Sequence, residues 1–221
     1  SQEEDDPETE TMSTEQGTEV DVSALLSSGA AAETDEITFG IDVARYQGTI
    51  DWAQVAASGV DFAMVRVGYR MNESREIIAD SNARYNMQEA QKNGIKLGAY
   101  FFSTAVNEEE AKEEADWTAD YIAQYQITYP VAFDCEGFDR ESSAQYGLSA
   151  SERTDIAIAF LNRIYERGYT PMFYSSMHEM TGDAAWETSR IEQKYRIWVS
   201  QYPSVPYPQT EKSSYGGVHA M

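Results

Sequence analysis

The chain has 221 residues and a formal net charge of −22, and this length allows one sizeable core plus a tail. The strong acidity argues against a nucleic-acid partner, because phosphate binding needs a basic surface. No apolar run approaches the ~18 residues of a membrane span. The single cysteine, Cys135, excludes an internal disulfide and any multi-cysteine metal site.

The N-terminal part differs in composition from the rest of the chain. Its first 40 residues contain 12 of the 38 acidic residues and no Lys or Arg. This part is also rich in Ser, Thr, Gly and Ala, and such a composition buries too little apolar surface to fold. We therefore predict a disordered acidic linker over residues 1–36 and a catalytic domain over residues 37–221. The start at Ser1 without a leader pattern suggests a trimmed product, whose tail could be a spacer from an upstream anchor.

From residue 37, strand and helix patterns alternate. Strands are predicted at residues 37–43, 62–67, 96–102, 131–136, 171–174 and 195–199, with helices at 51–57, 80–93, from Asn107 onward and at 149–167. This alternation indicates parallel βαβ units and an α/β fold. Functional residue types at the strand ends favour a TIM-like β/α barrel with its site at the C-terminal rim. A doubly wound open sheet is the alternative, but no Gly-x-Gly-x-x-Gly follows the first strand.

Two carboxylates, Asp134 and Glu136, end the apolar strand that begins at Val131. Side chains alternate along a strand, so these acids share a face while Cys135 points the other way and packs in the core. Repulsion between the two negative charges raises the pKa of one of these acids, and that carboxyl can then remain protonated and act as a general acid near neutral pH. The pair therefore suits glycosidic bond cleavage, although so short a pattern also fits two acids that simply face water.

Other strand ends supply further candidates for the same rim. They are Asp42 from the first strand, Arg66 and Tyr69 from the second, Tyr100 from the third, Tyr174 from the fifth and Trp198 from the sixth. Carboxylates ringed by aromatic side chains suit a sugar, whose apolar faces stack on the rings. A Mg²⁺ or Ca²⁺ site on the acids is a weaker alternative. We expect no metal and no cofactor, since neither His178 nor His219 lies in a metal-binding or Ser-His-Asp context.

Several stretches resemble glycoside hydrolase family 25, the Chalaropsis-type lysozymes or N-acetylmuramidases. They are residues 39–48 with the following Ile-Asp-Trp at 50–52, and residues 62–69, 98–102, 133–136, 171–176 and 197–202. These motifs occur in the order and spacing of the family, and the match extends roughly over residues 38–221. The resemblance is far more specific than any one acid pair.

The resemblance implies an irregular β/α barrel that cleaves the β-1,4 bond between N-acetylmuramic acid and N-acetylglucosamine in peptidoglycan. Glu136 matches the general acid, and Asp134 matches the carboxylate that assists the N-acetyl group or the oxocarbenium-like state. Asp42 matches a further acid of the site. The side chains expected to line the sugar groove are Tyr69, Tyr100, Tyr174 and Trp198, with Arg66 beside them. We expect a secreted bacterial or phage-derived monomer that acts on peptidoglycan strands outside the cell or at its surface.

Two departures from the family pattern bear on activity. The third strand reads Tyr-Phe-Phe at residues 100–102 where many members have Tyr-His-Phe, which we expect to alter a subsite contact. The sequence stops at Met221, before the expected closing strand and its additional acid, so we expect a C-terminally truncated barrel with an open edge. The alternative functions are a non-catalytic glycan-binding module and a glycosidase of another specificity, such as a chitin-degrading enzyme.

Overall fold

A computed structural model describes residues 6–9, 38–182 and 184–200, together with the backbone of residues 219–220. Its strands are β1 (Gly40–Val43), β2 (Phe62–Arg70), β3 (Ile77–Ala79), β4 (Lys96–Phe102), β5 (Ile127–Asp134), β6 (Pro171–Ser176), β7 (Arg196–Ser200) and β8 (His219–Ala220). Its helices are α1 (Trp52–Ala57), α2 (Ala83–Lys92), α3 (Glu108–Ile122), α4 (Ala150–Glu166), α5 (Met177–Met180) and α6 (Thr188–Glu192), with a 3₁₀ turn at Arg45–Gln47.

The helices begin where the sequence provides capping side chains. The Asn107 side chain accepts a hydrogen bond from the amide of Glu110 at 2.9 Å, which confirms the predicted start of α3. Asp51 caps α1 in the same way, and Ser149 caps α4. Each cap satisfies an amide that lacks a partner within its helix.

The strands form one sheet in the order β1-β2-β4-β5-β6-β7-β8, and neighbours along this path are parallel. The sheet curls into a half-barrel. Each strand is added on the same side of the preceding one, as in a barrel, whereas a doubly wound sheet reverses direction part-way. Within the described part of the chain no ladder joins β1 to β8. The predicted α/β class and the incomplete barrel are thus confirmed.

Strand β3 was not predicted from the sequence. It pairs antiparallel with the end of β2, where Tyr69 lies opposite Ile78. This short hairpin lies off the main path of the sheet, and its three residues are too few to show a periodic pattern. The hairpin is followed by Asp80, which reaches the rim of the sheet and pairs there with Arg66.

The two faces of the sheet bury different amounts of apolar surface. The helix-covered face carries the main core, in which Phe160 of α4 packs on Phe133 of β5 with ring centroids 5.2 Å apart. The inner face carries a much smaller cluster around Met64, Tyr100 and Met172. The concave side of the half-barrel is consequently the face on which polar groups are arranged.

Of the predicted linker over residues 1–36, only residues 6–9 are among those described. These four residues contact the domain, and Asp6 and Glu8 are buried against it. The predicted motif residues Gln201 and Tyr202 lie outside the described residues, as do most of those that follow them.

Candidate active site

The acid pair lies at the C-terminal end of β5, as predicted. Phe133 and Cys135 belong to the helix-side core, while Ala132 belongs to the inner cluster, so Asp134 faces the concave side. The Cys135 thiol is buried and donates to Oε1 of Gln145 at 3.0 Å. The prediction that Cys135 is a packing residue pointing away from the acids is confirmed.

A bulge in β2 brings both Arg66 and Tyr69 to the inner face. Arg66 is in register with Tyr100 of β4, but the register then shifts, so that Tyr69 is in register with Phe102. Directly paired residues of a parallel sheet share a face, and the additional residue, Val67, turns to the helix side. The Arg66 guanidinium consequently lies 4.9 Å from the centre of the Tyr69 ring. In a regular strand, residues three apart would face opposite sides.

Three predicted aromatic residues form a continuous patch on the inner face. Trp198 of β7 packs edge-on against Tyr100, with ring centroids 6.4 Å apart, and against Tyr174, with centroids 4.8 Å apart. Tyr100 is buried, whereas Tyr174 and Trp198 are half-buried. Partly accessible rings next to carboxylates are the usual surface for stacking a sugar.

Asp42 lies on β1 at the edge of the described sheet and is exposed. It is nevertheless within electrostatic reach of the site. Burial raises the pKa of the Tyr100 hydroxyl well above its ordinary value, and among the smaller contributions both Asp42 and Asp134 raise it further. The carboxylates of Asp42 on β1 and Asp134 on β5 thus both act on the ionisation of the same tyrosine hydroxyl.

Asp134 is the buried acid of the pair, and its surroundings disfavour its charged form. Burial raises its pKa well above the ordinary value, and the adjacent Glu136 carboxylate, the next largest cause, raises it further. Its Oδ1 atom is buried without a hydrogen-bond partner in the described part of the protein. An unpaired buried oxygen is costly, so this atom marks a position where a donor from a ligand would be favourable.

The rim also contains ionic groups that were not singled out from the sequence. Nε of Arg66 donates to Oδ2 of Asp80 at 2.8 Å, and the same carboxylate oxygen accepts from the backbone amide of Arg45. Tyr46 lies over both guanidinium groups, 4.8 Å from that of Arg45 and 4.9 Å from that of Arg66. Arg45 and Tyr46 are part of the first family-like motif. Asp80 follows the short strand β3, and nothing in the local sequence distinguishes it.

The Tyr-Phe-Phe departure at residues 100–102 does not change the groove. Phe101, at the position where many family members have His, faces the helix-side core. It packs on Trp117 with ring centroids 5.9 Å apart and on Phe160 with centroids 6.3 Å apart. The expected alteration of a subsite contact is therefore wrong, because alternation along β4 turns this side chain away from the inner face.

The described residues contain no group of three or more His, Cys, Asp or Glu side chains placed to hold a metal ion. Among the helices of the described ranges, none combines the length and the apolar character required to cross a membrane.

Comparison with known proteins decides the family. The profile of "Glycosyl hydrolases family 25" matches residues 41–219, which is most of the chain. The chain belongs to glycosyl hydrolase family 25. This glycoside hydrolase assignment agrees with the order of motifs in the sequence and with the half-barrel. None of the curated proteins compared with the chain matches it.

Solved structures show the same fold as this family 25 chain. The modular autolysin LytC from Streptococcus pneumoniae is 24% identical with a TM-score of 0.64, and the match covers 80% of this chain and 40% of that one. A muramidase from Acremonium alcalophilum is 22% identical with a TM-score of 0.60, covering 76% and 79%. The bacterial lysozyme from Streptomyces coelicolor is 25% identical with a TM-score of 0.54, covering 78% and 80%. The chain thus spans about 40% of the length of the pneumococcal autolysin that it matches.

Proposed function

We propose that this family 25 chain is a peptidoglycan hydrolase. It cleaves the β-1,4 bond between N-acetylmuramic acid and N-acetylglucosamine, with Glu136 as the general acid and Asp134 as the assisting carboxylate. The observation that carries the proposal is the Asp134–Glu136 pair at the C-terminal end of β5, beside the aromatic patch of the inner face. One of the structures similar to this chain is the LytC autolysin in complex with a synthetic peptidoglycan ligand.

The two acids differ in exposure in the way that this division of roles needs. Glu136 is half-buried, and it lines a cavity at the rim. A general acid must reach the leaving-group oxygen of the substrate, so the more accessible carboxyl is the better candidate. Asp134 is buried next to it.

Asp134 is suited to recognise the N-acetyl group of the substrate. Its unpartnered Oδ1 can accept a hydrogen bond from the acetamido N–H, which would orient the carbonyl oxygen of that group toward the anomeric carbon. In its deprotonated form a carboxylate next to the developing positive charge also stabilises an oxocarbenium-like state. This role requires that the proton favoured on Asp134 by burial lies on Glu136, the proposed general acid, when the glycosidic bond is cleaved.

The inner-face aromatic residues provide the sugar surface of the proposed site. Tyr174 and Trp198 present half-buried rings, and stacking of a pyranose face on such rings excludes water from the reacting bond. Asp42, Arg66, Tyr69 and Tyr100 surround the same concavity and are proposed to contact or position the glycan. Because the substrate is a cell-wall polymer, we propose action outside the cell or at its surface.

The test compares Glu136→Gln with Glu141→Gln in the full chain. Glu141 is an exposed acid five residues further along, so the control removes one charge without touching the site. The Glu136→Gln variant should keep its melting temperature and its binding to peptidoglycan. It should release new reducing ends roughly 10²–10⁴-fold more slowly, because general acid catalysis contributes about that factor. Glu141→Gln should behave like the parent.

Release of reducing ends at the parent rate by Glu136→Gln would show that Glu136 is not the acid. A parent chain that binds peptidoglycan but releases no reducing ends, with or without the tail substitutions described below, would identify a non-catalytic glycan-binding module instead.

A further inference from the structure

The four described residues of the N-terminal tail lie on the rim of the candidate site. Both carboxylate oxygens of Asp6 accept hydrogen bonds from Arg66, Oδ1 from Nη1 at 3.0 Å and Oδ2 from Nη2 at 2.5 Å. Arg45 also donates to Oδ2 of Asp6, through Nε at 3.0 Å, and its Nη2 donates to Oγ1 of Thr9 at 3.2 Å. Such a two-point contact between an arginine and a carboxylate is among the most specific ionic contacts in proteins.

Glu8 also contacts Arg66, and it lies closer to the proposed catalytic acids through its contact with Tyr100. It pairs with Nη1 of Arg66, and its Oε1 accepts from the Tyr100 hydroxyl at 3.4 Å. Burial raises the pKa of Glu8 to about 7, with Arg66 opposing the shift and Asp6 adding to it. Glu8 in turn contributes to the raised pKa of Asp134. The tail residue is thus close enough to influence a proposed catalytic group.

Pro7, between these two acids, lies at the rim near Glu136. Both residues line one cavity, together with Asn72, Thr104, Gly137, Arg140 and Ser143. The volume of this cavity is about 10 Å³, which is roughly the space of a single water molecule. A pyranose ring is far larger than this space, so it does not fit into the cavity that Pro7 and Glu136 line together.

The energetics of the contact favour reversible docking. Asp6 and Glu8 are buried on the domain, and the loss of hydration of buried ions offsets much of their attraction to the arginines. The tail is also part of the same chain, so docking is intramolecular and needs only a modest intrinsic affinity. A segment held in this way can occupy the site most of the time and still be displaced.

We propose that residues 6–9 are an intramolecular inhibitor: their carboxylates occupy an anion site formed by Arg66 and Arg45, and Pro7 blocks access of the glycan to Glu136. The inhibition rests on the proposed glycan hydrolysis, whereas the docking itself does not. Displacement or proteolytic removal of the tail then activates the enzyme at the cell wall.

The first experiment uses the full chain with Asp6→Asn and Glu8→Gln together. The control is Glu15→Gln with Glu19→Gln, which also removes two negative charges but from another part of the tail. If the segment is docked about nine-tenths of the time, the double variant should release reducing ends about tenfold faster than the parent. The control should match the parent. A double variant that is folded yet no faster than the parent would overturn the proposal.

A second measurement does not depend on catalysis. A synthetic peptide of residues 1–10 should bind the Asp6→Asn/Glu8→Gln chain, measured by calorimetry. It should bind the parent about tenfold more weakly, because the parent's own tail competes for the site. The same peptide carrying both substitutions should not bind. Absence of binding by the acidic peptide would overturn the docking, even if the chain cleaves peptidoglycan.

A third arm covers the case in which the double variant does not fold. A protease site inserted between residues 21 and 30 of the parent allows the tail to be cut after folding. Cleavage should raise the rate of reducing-end release in the same sample, and added peptide should lower it again. An unchanged rate after complete cleavage and removal of the tail would contradict inhibition. Peptide binding without reducing-end release in any sample would leave the docking intact and overturn the proposed function instead.

Discussion

Two buried ionisable residues of the rim, Arg66 and Asp134, are influenced by neighbouring acids in different ways. Burial alone lowers the pKa of Arg66, but Glu8, Asp6 and Asp80 raise it above the ordinary value, so the guanidinium stays charged. Burial raises the pKa of Asp134, and the nearby acids raise it further, so its carboxyl is held toward the protonated form. Neighbouring carboxylates stabilise a cation and disfavour a second anion.

The Asp134→Asn substitution should increase stability while it reduces activity. Because the pKa of Asp134 is raised in the folded state, its contribution to the free energy of unfolding is fully present below about pH 3.8, the ordinary value for this acid. That contribution is lost as the pH rises through the folded-state pKa. Urea titrations between about pH 4 and pH 8 should therefore show a stability difference that increasingly favours the Asp134→Asn variant as the pH rises. The rate of glycan cleavage should fall roughly 10²–10³-fold, as for loss of an electrostatic stabiliser.

Asp139→Asn provides the control for this experiment, since Asp139 is exposed and lies five residues along the same segment. A stability difference between Asp134→Asn and the parent that does not change with pH would show that Asp134 ionises normally. Unchanged activity would exclude it from the reaction.

At the scale of the elements, local sequence fixes where the helices begin, and helix α4 shows how. The Ser149 side chain accepts from the amide of Glu152 at 3.2 Å, while Oε2 of Glu152 accepts from the amide of Ser149 at 2.8 Å. This reciprocal capping box satisfies two amides that the helix itself leaves unpaired. Helix α4 then packs its buried face, which includes Ile156, Phe160 and Ile164, on the sheet.

Removal of the Ser149 cap should weaken the domain by about 1 kcal/mol, the typical effect of replacing such a cap with alanine. Ser151→Ala is the matched control, because Ser151 is an exposed serine in the first turn of the same helix. Chemical denaturation of the two variants and the parent measures the difference. Equal stability of Ser149→Ala and Ser151→Ala would show that the capping box contributes nothing.

At the scale of the whole molecule, stability and function are separated between the two faces of the sheet. The helix side joins most elements through large buried rings, and Phe160 contacts both Phe101 of β4 and Phe133 of β5. The inner side carries the acid pair, the arginine site and a small apolar cluster. This separation lets the concave face hold buried charge without disturbing the main core.

Phe160→Ala should consequently lower the free energy of unfolding by about 3–5 kcal/mol, as expected when a large buried ring is removed and leaves a cavity. Tyr174→Ala on the inner face should cost only about 1 kcal/mol, because Tyr174 is half-buried and its removal leaves no enclosed cavity in the main core. Its affinity for peptidoglycan should fall instead. Urea denaturation and a sedimentation assay for binding distinguish the two effects. A Tyr174→Ala chain as destabilised as Phe160→Ala would contradict the separation.

Much of this architecture could be predicted because it depends on local patterns. The continuous apolar runs of β4 and β5, the caps at Asn107 and Ser149, and the two acids after Val131 each involve residues close in sequence. Strand β3 was missed because three residues show no period. The effect of Phe101 was misjudged because its motif position does not say which face of the strand it occupies.

The sequence by itself determined the α/β class, the family and the acid pair at the rim, since these follow from periodicity and motif order within short windows. Only the tertiary structure decided what surrounds those acids. The bulge at Val67 rotates Tyr69 onto the inner face, Asp80 arrives through an antiparallel hairpin, and Asp6 reaches Arg66 from 60 positions away in the sequence. Such contacts depend on strand register and on which distant segments of the chain pack together, so no local sequence pattern predicts them. Composition predicts a linker over residues 1–36, whereas the folded chain buries Asp6 and Glu8 of that segment next to the guanidinium of Arg66.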